Sequence, residues 1–228
     1  MIIVAHRGAH EPETPGVREN TLEAFRAAAD LGIDGVELDV RATADGILVV
    51  HHDAVLPDGR AIGALTVDGR PAWLPTLAEV LDACAPLALV NVEIKASPID
   101  PAYRPVDEEQ AVRAIAAAGG ASRHAVSSFN LATLDAVHAT APDLPTAWLT
   151  MSRYDQADAV ATAAGAGHRA INPPDSATTA ELVEVAHAAG LQIMVWTVND
   201  PDRMTELAGW GVDVLITDTP ALARSVLG

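Results

Sequence analysis

Eight short apolar runs alternate with alanine-rich amphipathic segments along almost the whole chain, and this alternation constrains the fold more than any other feature. Most of the runs are rich in branched residues and bounded by Gly, Pro, Asp or Asn, as buried strands are. The predicted strands are Ile2–Ala5, Gly35–Val40, Leu87–Ile94, Ala125–Phe129, Thr146–Leu149, Arg169–Asn172, Gln192–Val198 and Val212–Thr217. The predicted helices are Leu22–Leu31, Leu77–Cys84, Asp107–Ala118, Leu131–Thr140, Gln156–Ala164, Thr179–Ala189, Pro201–Ala208 and Ala221–Leu227. Near-continuous apolar runs suit a parallel sheet buried on both faces, so the pattern predicts a (β/α)₈ TIM barrel.

A doubly wound open sheet is the main alternative to the barrel. Such a sheet usually has fewer strand–helix units, and no GxGxxG motif follows the first predicted strand. Neither a linker, a low-complexity tract nor a shift in composition divides the 228 residues, and this length is ordinary for one α/β domain. We therefore expect a single TIM-barrel domain over residues 1–228.

One segment departs from the alternation after the second predicted strand. Asp45-Gly46 stands between two strand-like runs, which is a strong signal for a two-residue hairpin turn. The barrel is therefore expected to carry a β-hairpin extension, and a turn at these two residues places Asp39 directly opposite His52. Before this segment, the spacing of Asn20 and Glu23 predicts that Asn20 caps the first helix.

The charge balance limits the partners that the protein can have. Fourteen basic residues against 31 acidic ones give a formal net charge of −17, which repels nucleic-acid phosphates and anionic membranes. We therefore expect no nucleic-acid binding and no stable membrane association. The single cysteine, Cys84, excludes an internal disulfide and a cysteine-based zinc site, and it fits a reducing compartment. The first residues do not read as a signal peptide, so we expect a cytoplasmic protein.

Three carboxylates lie in strand patterns that are expected to face the barrel interior. Glu37 and Asp39 are two residues apart and so share one face of the second strand, while Glu93 lies on the third. Burying such groups without partners is costly. A divalent cation offsets their repulsion, and ligation by oxygen alone suits Ca²⁺ or Mg²⁺ rather than zinc. Glu37, Asp39 and Glu93 are therefore the candidate ligands of one divalent cation.

Basic and aromatic side chains occupy the neighbouring strand ends, where the chemistry of such barrels is found. These residues are His6, Arg7, His52, Lys95, Phe129 and Trp196. The two imidazoles can act as general acid and general base near neutral pH. The arginine and the chain's only lysine can clamp a phosphoryl group, and the two aromatic rings offer apolar walls. The set predicts an enzyme acting on an anion, most simply a phosphate ester.

Other polar residues are interpreted without a direct role. Asp53 and Asp218 each lead into a turn, so they are interpreted as turn or cap residues. His51 alternates with His52 and should point away from it. The remaining histidines have no partner in the sequence and are interpreted as surface or packing residues: His10, His124, His138, His168 and His187.

A set of short motifs, in order from His6 to Pro220, resembles the glycerophosphodiester phosphodiesterase family. The motifs are His6-Arg7-Gly8, Glu19-Asn20-Thr21, Glu37-Leu38-Asp39-Val40, Asp45-Gly46 followed by Val49-Val50-His51-His52-Asp53, Glu93-Ile94-Lys95, Ser128-Phe129-Asn130, Trp196-Thr197-Val198-Asn199 and Ile216-Thr217-Asp218-Thr219-Pro220. The resemblance implies a (β/α)₈ barrel that hydrolyses glycerophosphodiesters to glycerol 3-phosphate and an alcohol with one divalent cation, often Ca²⁺ or Mg²⁺. It implies metal ligation by Glu37, Asp39 and Glu93, catalysis by His6 and His52, phosphate contacts from Arg7 and Lys95, and packing of Trp196 on the glycerol.

Two other functions stay open beside this one. A lysophospholipase D or sphingomyelinase D-like activity would need a hydrophobic rim or membrane-facing patch, which the acidic charge opposes. A barrel that binds phosphodiesters without turnover is disfavoured because both histidines and all three carboxylates are present. Departures from the family pattern, namely Arg18 in place of the usual Pro, a longer loop over 8–18 and a short segment over 53–75 without a folded insertion, bear on specificity.

The roles of the two histidines can be ordered by one electrostatic argument. A position of His52 opposite a metal-bound Asp39 would keep this imidazole protonated through the nearby negative charge. On this argument His52 is the general acid and His6 the general base.

Overall fold

The structure, a computed structural model, describes residues 1–96, 106 and 108–228. The strands in these residues are β1 (Ile2–His6), β2 (Gly35–Ala42), β3 (Leu48–Val50), β4 (Leu89–Ile94), β5 (His124–Ser128), β6 (Thr146–Leu149), β7 (Ala170–Asn172), β8 (Gln192–Val195) and β9 (Val214–Thr217). The α-helices are α1 (Leu22–Asp30), α2 (Leu77–Ala83), α3 (Glu108–Ala117), α4 (Leu131–Thr140), α5 (Gln156–Gly165), α6 (Ala180–Ala188), α7 (Pro201–Trp210) and α8 (Pro220–Leu227). The predicted start of the third helix, Asp107, lies outside the described residues.

Eight of the strands form a closed parallel ring, and β3 is hydrogen-bonded outside it. The order is β1-β9-β8-β7-β6-β5-β4-β2, and pairing of β1 with β2 closes the ring. Strand β3 pairs antiparallel with the end of β2. The predicted (β/α)₈ barrel with a hairpin extension after the second strand is thereby confirmed.

Alternation along each strand separates two apolar layers. In β1, Ile3 and Ala5 belong to the large buried cluster between the ring and its helices, whereas Val4 belongs to a small cluster inside the ring. Val4 shares this inner cluster with Ala147, Ala170, Met194, Val214 and Ile216. Successive side chains of a strand point to opposite faces, so a residue two positions further along also faces the interior. Polar residues at these positions therefore lie at the carboxyl-terminal mouth of the barrel.

The hairpin is one residue longer than predicted. Val40 pairs with Val50 and Ala42 with Leu48, and the loop is closed by a hydrogen bond from the Thr43 amide to the Ile47 carbonyl of 3.0 Å. Three residues therefore form the turn, and Gly46 adopts φ +80°, the left-handed conformation that completes a three-residue hairpin loop. The predicted register, with Asp39 opposite His52, is wrong: the His51 amide instead donates to the Asp39 carbonyl at 2.9 Å.

The cap of α1 is also one residue away from its predicted position. The side chain of Thr21, not that of Asn20, accepts the hydrogen bond from the Ala24 amide. Asn20 itself has φ +56° and donates from Nδ2 to Asp39 Oδ2 at 2.8 Å. The side-chain amide of Asn20 therefore binds a carboxylate inside the barrel and does not cap the helix.

Residues 53–75 connect β3 to α2 and form a compact cover over the hairpin. They contain two short 3₁₀ turns, Ile62–Ala64 and Val67–Gly69. Leu56, Ile62 and Leu74 of this segment form a small buried cluster with Val49 of β3, and Trp73 packs against it. None of the helices in the described part of the chain has the length and apolar character needed to span a membrane.

Candidate active site

The carboxyl-terminal ends of the strands surround a cavity of about 370 Å³. It is lined by His6, Arg7, Glu37, His52, Asn91, Glu93, Lys95, Ser127, Phe129, Leu149, Met151, Trp196, Thr197 and Ile216. Eight of the nine side chains predicted from the sequence line this cavity, and the ninth, Asp39, is buried against Lys95. A cavity of about 440 Å³ lies at the other end of the barrel near Met1 and Gly228, and it contains none of the predicted residues.

The three predicted carboxylates converge because β2 and β4 are neighbours in the ring. Asp39 pairs in register with Glu93, and Glu37 pairs with Asn91. Glu37, Asp39 and Glu93 are all buried, and each offers an oxygen within 4.8 Å of the others. Such a set of oxygen ligands suits a hard divalent cation.

Two cationic side chains neutralise part of this negative charge. Lys95 Nζ lies 2.8 Å from Asp39 Oδ1 and 2.6 Å from Glu93 Oε1, and Arg7 Nε lies 3.3 Å from Asp39 Oδ2. Burial favours the neutral form of Asp39, but the charges of Lys95 and Arg7 outweigh it and hold the pKa of Asp39 well below its usual range. Burial likewise opposes the charge on Lys95, yet Glu93 and Asp39 raise its pKa.

The other two carboxylates are less well compensated. Burial, and then the negative charge of Asp39, raise the pKa of Glu37 to about 8. Burial also raises the pKa of Glu93, although Lys95 opposes the shift. Glu37 Oε1 is buried and accepts no hydrogen bond from any described residue. The site therefore has an excess of buried negative charge near Glu37, where an additional positive charge would stabilise it.

His6 is held by a carboxylate that the sequence interpretation had assigned to a turn. Its Nδ1 lies 2.6 Å from Asp218 Oδ1, and Asn199 Nδ2 donates to Asp218 Oδ2 at 2.7 Å. Burial opposes ionisation of Asp218, but these hydrogen bonds outweigh it and lower its pKa to about 2. An ionised carboxylate only accepts hydrogen bonds, so Nδ1 of His6 carries the proton and Nε2 faces the cavity, 3.9 Å from Glu37 Oε2.

His52 has the same kind of partner on the opposite side of the cavity. Its Nδ1 lies 2.8 Å from Asp53 Oδ1, the other residue that was interpreted as part of a turn. The chain bends after β3, so His52 lines the cavity even though His51 takes the register position opposite Asp39. His51 points away, as predicted, and its ring lies 5.8 Å from that of Trp73.

The pKa values of the two histidines are shifted in opposite directions. Burial lowers the pKa of His6, but the hydrogen bond to Asp218 and the charge of Glu37 outweigh it and raise this pKa. Burial and the charge of Lys95 lower the pKa of His52, because together they outweigh Asp39. These directions are opposite to the order that the electrostatic argument gave, and the assignment of His52 as the acid stays a prediction.

An unusual turn after β1 aims a backbone amide at the carboxylates. Arg7 has φ +57° and Gly8 has φ +84°. A side chain on Gly8 would place its Cβ 2.7–2.9 Å from atoms of Ala24, so only glycine fits against α1 here. The turn directs the Arg7 amide to Glu37 Oε2 at 3.2 Å, and Glu19 holds the guanidinium by a 2.9 Å hydrogen bond to Nη1.

An apolar wall faces the charged groups across the cavity. The rings of Phe129 and Trp196 meet edge to face, with centroids 5.5 Å apart at 83°. The Trp196 indole donates to the Asn172 carbonyl at 2.9 Å, which fixes the ring, and Leu149 and Met151 extend the wall along β6. One side of the cavity is thus charged and the other apolar, as a substrate with an anionic centre and an organic group requires.

Comparison with known proteins gives the family of this barrel. Residues 6–222 match the model of the "Glycerophosphoryl diester phosphodiesterase family". The chain belongs to this family. A curated relative named glycerophosphodiester phosphodiesterase, from Caldanaerobacter subterraneus, is 32% identical over 96% of this chain and 94% of its own length. A probable glycerophosphodiester phosphodiesterase 2 from Mycobacterium tuberculosis is 31% identical over 99% of this chain and 90% of its own.

Solved structures of similar proteins have the same fold. A putative family member from Silicibacter pomeroyi superposes with a TM-score of 0.84 at 29% identity and covers 100% of this chain and 93% of its own. A phosphodiesterase from Oleispira antarctica, solved with the product sn-glycerol-3-phosphate, superposes with a TM-score of 0.86 at 22% identity and covers 100% of this chain and 96% of its own. The predicted family, and with it the enzyme class of phosphoric diester hydrolase, is confirmed.

Four residues of this phosphodiesterase site were absent from the sequence prediction. Asp218 and Asp53 hold the histidines, Asn20 holds Asp39, and Glu19 holds Arg7. A signal was available for Asp218, because it lies two residues after the inward-facing Ile216 and so shares its face of the strand. For Glu19 and Asn20 the signal was the motif Glu19-Asn20-Thr21 itself, to which the sequence analysis gave no role in the site.

Proposed function

We propose that this phosphodiesterase hydrolyses glycerophosphodiesters to glycerol 3-phosphate and an alcohol, using one divalent cation and the histidine pair His6 and His52. One observation carries the proposal: a single cavity is lined by two buried carboxylates, with a third directly behind Lys95, and by two carboxylate-bound imidazoles and two cationic side chains. The names of the relatives support the substrate class, and so does the product held by the Oleispira protein.

The donor set fits a divalent cation. Glu37, Asp39 and Glu93 supply only oxygen atoms, within 4.8 Å of one another, and oxygen is the ligand that Ca²⁺ and Mg²⁺ prefer. The raised pKa of Glu37 and its unpartnered Oε1 support the same conclusion, since both reflect a buried carboxyl group whose charge His6 and Lys95 offset only in part. When bound, the cation would supply positive charge to the phosphoryl oxygens.

The remaining steps follow from the chain's own residues. Arg7 and Lys95 bind and orient the phosphodiester through its non-bridging oxygens and offset the charge that develops on them. One imidazole removes a proton from the nucleophile, which is either water or the glycerol 2-hydroxyl; in the second case a cyclic phosphate forms and water then opens it to glycerol 3-phosphate. The other donates a proton to the ester oxygen of the leaving alcohol, and the two transfers together leave the pair ready to exchange roles.

The aspartates act on these proton transfers through the histidines. Asp218 and Asp53 each accept from Nδ1, so each imidazole presents Nε2 to the cavity and each imidazolium is stabilised by an adjacent negative charge. We propose that Phe129 and Trp196 pack against the glycerol, which leaves Leu149 and Met151 beside the rest of the substrate. The two organic groups of the substrate would then contact different parts of the cavity wall. This arrangement supports a diester rather than a monoester substrate.

The test is release of glycerol 3-phosphate from glycerophosphocholine, measured with and without EDTA. We expect release that EDTA abolishes and that added Mg²⁺ or Ca²⁺ restores. Binding of the diester without release would contradict the hydrolytic function. Faster release of choline from long-chain lysophosphatidylcholine than from glycerophosphocholine would instead identify a lysophospholipase D.

Two further expectations belong to this proposal. We propose that residues 1–228 act as one domain, supported by the pairing of β1 with β9, which joins the two ends of the chain in one ring. The cytoplasmic location, the absence of nucleic-acid binding and the absence of stable membrane association stay predictions.

A further inference from the structure

Three side chains from separate parts of the chain stack at the edge of the barrel mouth. The Arg18 guanidinium carbon lies 4.4 Å from the centre of the Trp73 ring system. On the same indole, the His51 ring lies with its centroid 5.8 Å away at 47°. A guanidinium over an indole at this distance is a favourable cation–π contact, so Trp73 joins the other two residues.

The stack connects two loops that otherwise leave the barrel separately. Arg18 belongs to the loop between β1 and α1, and Trp73 belongs to the cover formed by residues 53–75. His51 lies at the end of the hairpin, where its amide donates to the Asp39 carbonyl. Trp73 is therefore the one ring in the described residues that contacts both Arg18 and His51.

Each joined loop carries residues of the site. Immediately after Arg18, Glu19 holds Arg7 and Asn20 holds Asp39. Immediately after His51 comes His52, whose side chain is 37% exposed and whose Nδ1 partner, Asp53, is 74% exposed. An exposed pair of this kind does little to fix its own position, so the placement of His52 depends on how the residues around it are held.

Two backbone-directed bonds hold this segment on its inner side. Arg41 Nε donates to the His52 carbonyl at 2.7 Å, and His51 Nδ1 lies 2.9 Å from the Asp53 carbonyl. The His51 ring therefore has two contacts, the Asp53 carbonyl on one side and the Trp73 ring on the other. Trp73 is therefore linked, through the His51 ring, to the segment that carries His52.

We propose that Trp73, clamped by Arg18, is a positioning residue for His52. The proposal rests on the proposed catalytic role of His52 and adds how this chain holds that residue. Trp73 is not among the residues that line the cavity and acts through His51. Because a misplacement of about 1 Å can slow an enzyme by up to about 10²-fold, loss of the ring should lower kcat while leaving KM almost unchanged.

The experiment is a double-mutant cycle on glycerophosphocholine hydrolysis with Trp73→Ala, His52→Ala and the double variant. We expect Trp73→Ala to lower kcat about tenfold with KM within about twofold of wild type, and Trp73→Phe to recover most of the rate. On the His52→Ala background, Trp73→Ala should have no further effect, since the group that it positions is gone. An equal loss on both backgrounds would overturn the proposal, because the ring would then act on stability or on another residue.

The chain offers a matched control and a milder variant. Trp210 on α7 also carries an arginine, with Arg203 at 4.6 Å, so Trp210→Ala should leave kcat unchanged. Arg18→Gln keeps the apolar cluster under residues 53–75 intact and should lower kcat about threefold. If Trp73→Ala does not fold, Arg18→Gln with and without His52→Ala completes the cycle.

The outcomes separate this proposal from the proposed function. If His52→Ala keeps the wild-type kcat, the catalytic role of His52 is refuted. If His52→Ala is slow while Trp73→Ala and Arg18→Gln match wild type, the catalytic role stands and the positioning role alone is refuted.

Discussion

Replacing Asp218 by asparagine tests whether the carboxylate on His6 contributes to catalysis. The change keeps the shape of the side chain and removes its charge. In the wild type, burial raises the pKa of Asp218, but the hydrogen bonds from His6 and Asn199 outweigh burial and hold this pKa at about 2 against an ordinary 3.8, which corresponds to about 2 kcal/mol. Asn199 shares this energy and the side chain is 30% exposed, so we assign about 1–2 kcal/mol to the His6 contact.

That energy predicts a fall in kcat/KM of roughly 5- to 30-fold for Asp218→Asn. The pH profile should change as well: because the bond to Asp218 raises the pKa of His6, the limb that reports His6 should move to lower pH. Binding of the divalent cation, measured by calorimetry, should stay at the wild-type affinity, since Asp218 is not a predicted ligand.

A matched control is available just before β9, at the end of this strand opposite to Asp218. Asp213 Oδ2 lies 2.9 Å from His187 Nε2, far from the cavity lining, so Asp213→Asn removes an aspartate–histidine pair without touching the site. A wild-type kcat/KM in Asp218→Asn, or the same loss in Asp213→Asn, would refute the reasoning.

Three further predictions concern the ligands, the histidines and stability. Glu93→Ala should lower cation affinity and activity together; calorimetry that finds wild-type affinity would contradict its role as a ligand. The leaving group of a nitrophenyl ester needs little protonation, so the variant that lacks the general acid should lose much less activity on this ester than on glycerophosphocholine. Comparing His6→Ala with His52→Ala on both substrates therefore identifies the acid. Wild-type rates of both variants on glycerophosphocholine would exclude the histidine mechanism. Burial lowers the pKa of His168, so the folded state binds fewer protons than the unfolded state below pH 6.5. The free energy of unfolding should therefore fall as the pH drops through this range, less steeply in His168→Gln, and an equal slope in urea titrations would contradict it.

The sequence predicted the barrel because its units are encoded locally. Each strand is a short apolar run and each helix has its own periodicity, so the boundaries of β6 and α4 coincide with their predicted limits. The inward-facing carboxylates followed from the alternation of side chains along β2 and β4, and the convergence of both strands at one edge followed from the fold class.

What the sequence could not provide depends on single-residue details of loops. A three-residue hairpin loop and a two-residue one are both compatible with Asp45-Gly46, and the choice shifted Asp39 from His52 to His51. His52 reached the cavity through a bend after the strand, which no periodicity describes. The partnership of His6 with Asp218 was missed for a different reason: the two residues are 212 positions apart, and only the closed ring brings them together.

The contact between His6 and Asp218 also makes the active site a reporter of complete folding. His6 ends the first strand of the ring and Asp218 directly follows the last, and the pairing of these two strands joins residues farther apart in the sequence than any other strand pairing in the described residues. Contacts between residues so far apart in the sequence have a large entropic cost of loop closure. They form late in folding when the intervening chain must fold first. Recovery of phosphodiesterase activity during refolding should accordingly lag behind recovery of helical circular dichroism, and a nascent chain becomes an enzyme only after its final strand has left the ribosome.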